Sequence, residues 1–265
     1  MVPVSIVIIT KNEADIIGRC IEKARQITDD IVVIDSGSTD ETANIAAKNG
    51  CRVFEKVWDG YGANKNKGIV LAKYDWILSI DADEIPDDNL IRSLGQIKLT
   101  DPAIVYDIKF RSWFGAKLIR YGSWGRDHHI RLFNRNVVKW SETVVHETLL
   151  FPQHIRVKKL AGGLHHFSVK NVEEFDRKGI YYAKLSAKKY FIDGKRAGLI
   201  KFHFSPLFGF FKNYVIHMGF LDGREGWEIA RTTLKNTRRK YQFLSQMENM
   251  PTTKEAVKES LVVEY

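Results

Sequence analysis

In the first eighty residues the apolar positions fall into short runs, each interrupted by at most one polar residue. Val4–Ile9, Ile31–Ile34, Cys51–Phe54 and Trp76–Ile80 each end at polar or glycine-containing stretches. For Val4–Ile9, Ile31–Ile34 and Trp76–Ile80, runs of this kind bounded by turn residues predict strands buried on both faces, and Cys51–Phe54 reads as a further short strand. The intervening segments have helical spacing. Asn12 is the predicted N-cap of a helix to about Gln26, with Ile16, Ile17, Cys20 and Ile21 on one face. Ser38 and Glu41 fit a capping box for the next helix, which Asn49-Gly50 stops. A loop with Gly60 and Gly62 precedes a third helix, Ala63–Ala72. Strands alternating with helices imply right-handed βαβ units: an α/β fold whose mostly parallel central sheet is flanked by helices.

The pattern then changes. A helix is predicted from Asp87 to Leu99, followed by strands Ala103–Trp113 and Ile130–Trp140, rich in β-branched and aromatic residues. The turn-rich loop Tyr121–Asp127 lies between those strands, and Glu173–Gly194 reads as a Lys-rich amphipathic helix. Leu199–Leu221 is the most apolar long stretch. Lys201, His203, Lys212, Asn213 and His217 interrupt it, and Pro206 and Gly209 are expected to break its helicity. It is too interrupted to span a bilayer. Two readings stand: a segment lying in a membrane interface, or a helical pair packed on the preceding domain. Basic Arg231, Lys235, Arg238, Arg239 and Lys240 favour an anionic surface. From Glu248 the chain is polar and expected to fray. The expected division is a catalytic domain over 1–195, with a nucleotide half (1–100) and an acceptor half (101–170), and a helical amphipathic region over 196–265.

Composition narrows the partners. The chain has 265 residues, 44% hydrophobic and 28% charged, with net charge +9. That excess suits phosphorylated substrates, an anionic membrane surface or nucleic acid. The Lys and Arg residues are dispersed, with no aromatic-interleaved patch, so nucleic acid is not an expected partner. Cys20 and Cys51 lack metal-type spacing, and the first ten residues lack a basic lead and a small-residue cleavage site. A reducing, cytoplasmic setting is expected. No G-x-G-x-x-G follows the first strand, and neither G-x-x-x-x-G-K-[ST] nor G-x-S-x-G occurs. Dinucleotide, P-loop and hydrolase chemistries are correspondingly weakened.

What remains is acidic. Asp81 and Asp83 close the fourth strand, Asp35 the second, and Glu13 follows the first. One acidic turn is an ordinary helix cap. Several acids at the ligand-binding edge of one sheet suggest a nucleotide and a hard cation, Mg²⁺ or Mn²⁺, held partly by substrate phosphates. A nucleotidyltransferase would share that chemistry, but it should carry a glycine-rich loop after strand one, and Thr10-Lys11-Asn12-Glu13 has no glycine.

In order and spacing, Val4–Glu13, Ile34–Thr42, Asn64-Lys65-Asn66-Lys67-Gly68 and Asp81-Ala82-Asp83-Glu84 resemble an inverting family 2 glycosyltransferase of GT-A (nucleotide-diphospho-sugar transferase) fold, with a helical C-terminal appendage. Trp124–Asp127, Arg131-Leu132-Phe133, Val145-His146-Glu147, His165-His166-Phe167 and Gly194-Lys195-Arg196 resemble the subgroup that adds glucose to the lipopolysaccharide inner core. The resemblance implies a UDP-sugar donor and a saccharide or lipid-linked saccharide acceptor. Independently of the resemblance, the Leu199–Leu221 segment and the basic residues after it suit peripheral contact with the inner face of an anionic cytoplasmic membrane. By the same resemblance Asp35 binds uracil, the backbone near Thr10 flanks the base, and Glu13 lies near the nucleotide. Lys65 stands where the family has Arg, which keeps a charge but loses a fork of donors. Asp81 would approach ribose or metal, Asp83 would be the principal metal ligand, and His166 a metal or diphosphate ligand. Glu147 is the implied base that takes the acceptor proton, with Asp127 its rival. Trp113, Tyr121 and Trp124 would stack on sugars or pack in the core. Arg126, Arg131 and Lys195 would meet acceptor phosphates.

Overall fold

A computed structural model describes residues 2–141, 147–249 and 257. The chain divides into two compact units: 1–111 with 127–166, and 112–126 with 167–265. The second includes the helix over 173–194, which the expected boundary at 195 had grouped with the catalytic domain. That helix packs its small residues on later helices, which sequence spacing does not reveal.

Unit 1 begins with β1 (Val4–Thr10), α1 (Ile17–Ala24), β2 (Asp30–Asp35), α2 (Thr42–Lys48), β3 (Arg52–Glu55), α3 (Tyr61–Leu71) and β4 (Trp76–Asp81). Next come β5 (Glu84–Pro86), α4 (Asp88–Gln96) and β6 (Ile104–Phe114), whose end runs into unit 2. After β7 (Lys117–Leu118) in unit 2, the chain adds β8 (His128–Asn134), β9 (Lys139–Trp140), β10 (Leu149–Leu150) and β11 (Arg156–Val169). The sheet order is β3-β2-β1-β4-β8-β6-β11-β5. β3, β2, β1 and β4 are mutually parallel, and β8 joins β4 antiparallel. The register aligns Thr10 with Asp35 and Ile9 with Asp81, so the carboxyl ends of three neighbouring strands form one edge.

The buried runs at β1, β2 and β4 are strands, as their dominant hydrophobicity implies. Val7, Ile9, Val32, Ile34 and Ile77 share a core with Ile69 of α3, Ala72 just after it, Phe133 and Trp140. Gly68 lets α3 sit down on this core: a Cβ there would lie 2.4 Å from Val7 Cγ1 and 3.1 Å from Ile34 Cγ1.

Two helix starts differ from expectation. Asn12 is not an N-cap; it adopts a left-handed φ of 55° and α1 begins at Ile17. Its amide N–H donates to Ser38 Oγ, and its Oδ1 accepts from the Thr39 N–H at 2.8 Å, which ties the loop after β1 to the loop after β2. Ser38 is therefore engaged elsewhere, and no capping box forms at α2. Asp40 instead accepts from the Thr42 N–H at 3.0 Å. Both differences come from polar side chains bonding across two loops, where local spacing predicts bonds within one.

Unit 2 contains α5 (Val172–Ile192), α6 (Leu199–Phe211) and α7 (Gly223–Asn249). Gly179 of α5 permits close approach to α7, since a Cβ would lie 1.8 Å from Asn236 Nδ2. Asp176 and Arg239 pair across the same two helices with two hydrogen bonds. Ala187, Tyr241 and Leu244 form a shared core that Phe202 of α6 joins. α6 runs through Pro206 and Gly209, contrary to the predicted break. A proline forfeits one backbone bond at about 3 kcal/mol; here the helix continues with the Pro206 ring buried against its neighbours. The regular ladder widens only later, in a π-helical turn over Lys212–Ile216. The expectation of fraying lies, beyond Asn249, outside the described residues.

Gly68→Ala should lower the thermal midpoint, by overpacking worth about 1–3 kcal/mol. Gly95→Ala on α4, where a Cβ meets nothing within 4 Å, should raise stability by about 0.5–1 kcal/mol. Circular-dichroism melts of the two variants check the opposite signs.

Candidate active site

The segment Asn64–Gly68 assembles the site by using each side chain in a different direction. Asn64 Nδ2 donates to Ser36 Oγ at 3.2 Å, just beyond the end of β2. Asn66 bonds both backbone groups of Trp140: its Nδ2 donates to the carbonyl at 3.0 Å, and its Oδ1 accepts from the N–H at 3.1 Å. Gly62 lets the first turn of α3 touch the same region, since a Cβ would lie 1.9 Å from Ser141 O and 3.2 Å from Glu147 Cβ.

Lys65 then points inward and is 1% exposed. Its Nζ lies 3.3 Å from Asp81 Oδ1 and 3.2 Å from Glu147 Oε1, and 4.6 Å from the Trp140 ring centroid. An ammonium is this deeply buried only where partners replace its water. Here one carboxylate comes from the end of β4 and the other from the chain before β10. Lys65 therefore joins an expected nucleotide residue to the expected base.

Arg131 closes the other side of Asp81. It is buried, with its Nη2 2.5 Å from Glu84 Oε1 and 3.6 Å from Asp81 Oδ2. The guanidinium lies 5.2 Å from the Phe110 ring centroid. Arg131 thus holds the acidic strand end and does not face outward to acceptor phosphates as expected. Its partner Glu84 was not assigned a role from the sequence, although it ends the Asp81–Glu84 motif. Continuity with the carboxylate pair is the only signal that could have found it. Glu84 Oε2 also accepts from the Asp81 N–H at 3.1 Å.

These neighbours separate two carboxyls by environment. Burial pushes Asp81 up, but Lys65, Arg131 and His166 outweigh it and hold the acid at about 2. For Glu84 burial dominates, opposed by Arg131 and reinforced by Asp81, and its pKa rises to about 7.

Asp83 faces His166, whose Nε2 is 3.5 Å from Asp83 Oδ2. β11 brings the histidine there, since His166 registers opposite Glu84 of β5. Burial lowers the His166 pKa, and Asp83, Glu84 and Asp81 together raise it to about 9. An imidazole must shed that proton to bind a metal. Among the described residues, no three His, Cys, Asp or Glu side chains form a ready-made metal cage. The Asp83–His166 pair fits a cation that takes its remaining ligands from phosphate. Asp81 fits less well, because both of its oxygens already face cations.

His166 continues into a second row. Its ring is 5.5 Å from Phe110, which is 4.6 Å from His129. His129 Nε2 lies 3.0 Å from Asp127 Oδ1. Burial raises the Asp127 pKa, but the hydrogen bond and charge of His129, with His166, leave it lowered. His128 pairs instead with Asp107 at 3.4 Å.

On the nucleotide side, Asp35 is 4% exposed, and its Oδ2 accepts from the N–H groups of Gly37 and Ser38 at 3.2 and 2.9 Å. These bonds fix the carboxylate at the strand end and give the Ile34–Thr42 motif its shape. Thr10 is buried beside it, and its Oγ1 has no hydrogen-bond partner among the described residues. Glu13 is partly buried, and its N–H donates to Thr42 Oγ1 at 2.8 Å.

The remaining acceptor candidates belong to unit 2. Trp124 packs against Phe175 at 5.3 Å and Phe114 at 6.1 Å and lines a core. Trp113 stacks on Phe167. The Tyr121 N–H donates to Asp222 Oδ2 at 2.8 Å. Arg126 is exposed, and Lys195 is exposed and paired with Asp193. His146, the neighbour of Glu147, lies outside the described residues.

The family model for glycosyl transferase family 2 matches residues 5–149, which span both the parallel strands and Glu147. The chain belongs to glycosyltransferase family 2. An uncharacterized glycosyltransferase of Rickettsia felis is 30% identical over 239 residues, covering 86% of this chain and 84% of the relative. The lipopolysaccharide core biosynthesis glycosyltransferase LpsC of Rhizobium meliloti is 30% identical over 225 residues, covering 80% of each. Among solved structures, the glucosyl-3-phosphoglycerate synthase of Mycobacterium tuberculosis, bound to Mn²⁺, UDP and glucosyl-3-phosphoglycerate, is 26% identical. It covers 43% of this chain and 44% of that one, at a TM-score of 0.34, too low to carry weight. As a family 2 glycosyltransferase the protein is an enzyme of GT-A fold, with its strand-end acids on the ligand-binding edge of the sheet.

The Asp81 pKa near 2, against the model-peptide 3.8, gives a sign to stability. A depressed acid stabilises the fold above its unfolded pKa and loses that contribution as pH falls through its folded value. Asp81→Asn should therefore cost about 2 kcal/mol at pH 7, with the gap to the parent closing only below pH about 4. Urea unfolding at stepped pH checks this. In Lys65→Met, NMR titration should show the Asp81 pKa moving up, because one of the cations that lower it is gone.

Proposed function

We propose that the protein transfers a hexose, glucose in the leading reading, from a UDP-sugar to a saccharide acceptor of the lipopolysaccharide core or a related envelope glycan, with inversion at the anomeric carbon. Likeness to LpsC over four-fifths of both chains supports the acceptor class. The observation that supports the chemistry is the Asp81–Lys65–Glu147 bridge, in which Glu147 shares one buried ammonium with the acid that ends β4.

Asp35 and Thr10 lie at adjacent strand ends, where uracil would be read by the carboxylate and by backbone. Asp81 stays ionised and accepts from ribose hydroxyls or orients the Lys65 ammonium. Asp83 with His166 would hold Mn²⁺ or Mg²⁺ once the diphosphate completes the ligand set. That cation would supply charge stabilisation to the departing diphosphate. The acceptor oxygen forms a bond to the anomeric carbon as the bond from that carbon to the diphosphate oxygen breaks, and the hydroxyl proton passes to Glu147. Lys65 and the packing of Gly62 fix where that carboxylate points. Asp127, the rival base, is engaged by His129, whose hydrogen bond and charge, with His166, lower its pKa.

A nucleotide-sugar panel with Mn²⁺ or Mg²⁺ tests the donor: UDP-glucose should be turned over or raise the melting temperature, and UDP should protect better with metal than without. Glu147→Gln should lower kcat by about 10²–10⁴-fold, the usual worth of a positioned base, with donor Kd held. Asp127→Asn should fall far less. The reverse ranking reassigns the base to Asp127. Asp83→Ala with undiminished metal dependence removes the proposed cation site.

A further inference from the structure

α6 has one side seated and one side bare. Phe202 enters the core of Ala187, Tyr241 and Leu244, and Pro206 is buried. On the other side Leu199, Ile200, Phe204, Leu207, Phe208 and Phe211 are each 51–79% exposed. The bare face continues through Val215, Ile216, Phe220 and Leu221, all more than 40% exposed. A shallow trough of about 530 Å³ runs between Phe204, Leu207, Phe208 and Phe211. Isolated exposed apolar residues are ordinary, but a contiguous patch with several aromatics marks a docking surface.

Charge selects the occupant. From Gly194 to Leu221 the chain has Lys195, Arg196, Lys201 and Lys212 and no Asp or Glu. Lys201 and Lys212 are exposed on the segment that bears the aromatics. A two-fold contact with a second copy would set this cationic rim against itself, with no acid on the segment to answer it. A bilayer with anionic headgroups answers both features, taking the aromatics into its interface and the lysines at its phosphates. Among the described residues, no helix is long and apolar enough to cross a membrane.

We propose that the α6 face and the turn after it form a peripheral docking surface for an anionic lipid bilayer, with Phe204, Leu207, Phe208 and Phe211 inserted at the headgroup boundary and Lys201 and Lys212 at lipid phosphates. The proposal does not depend on the sugar transferred.

Sedimentation of the full chain with phosphatidylethanolamine–phosphatidylglycerol vesicles, against pure phosphatidylcholine vesicles, tests it. Binding to the anionic vesicles should exceed that to phosphatidylcholine by about tenfold or more. The double variant Leu207→Glu/Phe208→Glu, with circular dichroism confirming the fold, should lose binding to both. Lys201→Glu/Lys212→Glu should keep the fold and lose the anionic preference. The proposal is overturned if the full chain binds neither vesicle, or if Leu207→Glu/Phe208→Glu binds as the parent does. It is also overturned if the parent is a dimer that this variant converts to monomer, which would make the face a contact between copies.

Discussion

A single buried ammonium organises the active half of this glycosyltransferase. Lys65 has almost no contact with water, so its charge must be answered inside the protein, and two carboxylates from distant parts of the chain do so. Removing either partner leaves a buried charge under-compensated, which destabilises the fold. The requirement pulls the Glu147 segment onto α3, and Asn66 and Gly62 make room for it with two backbone hydrogen bonds and a missing Cβ. Structure and chemistry thus share one constraint. The interaction that anchors the Glu147 segment also holds that carboxylate, the proposed base, near the end of β4.

Arg131 extends the same logic. Asp81 lies between Lys65 and Arg131, and Glu84 shares Arg131 from behind. The result is an alternating chain of charges that keeps Asp81 ionised, while Asp83, among the described residues, faces His166. Two acids one residue apart in sequence therefore have different tasks. Asp81 is tied into the scaffold, and Asp83 keeps freedom to meet a ligand. This favours Asp83 over Asp81 as the principal metal residue.

Much of this was legible in the sequence because it rests on local pattern. The buried runs at Val4–Ile9, Ile31–Ile34 and Trp76–Ile80 specify parallel strands, and acids at strand ends mark the ligand edge. What stayed hidden depends on contacts across the chain. Lys65 and Glu147 are 82 positions apart, and no periodicity links them. Arg131 reads as a free cation until its burial beside Glu84 is known. Asn12 and Ser38 read as caps because the sequence shows each loop alone, whereas the fold bonds the two loops together. Pro206 reads as a break because the pattern cannot weigh one lost backbone bond against the seating of a whole helix.

The central claim is that Lys65 acts on the reaction by positioning Glu147. A double-mutant cycle on kcat addresses it most directly, with Lys65→Met, Glu147→Gln and the pair measured at saturating donor and acceptor. The account predicts strong non-additivity: once Glu147 is gone, losing Lys65 should add little further loss in kcat. Losses that multiply in full would contradict it, and would show that Lys65 and Glu147 serve the reaction independently.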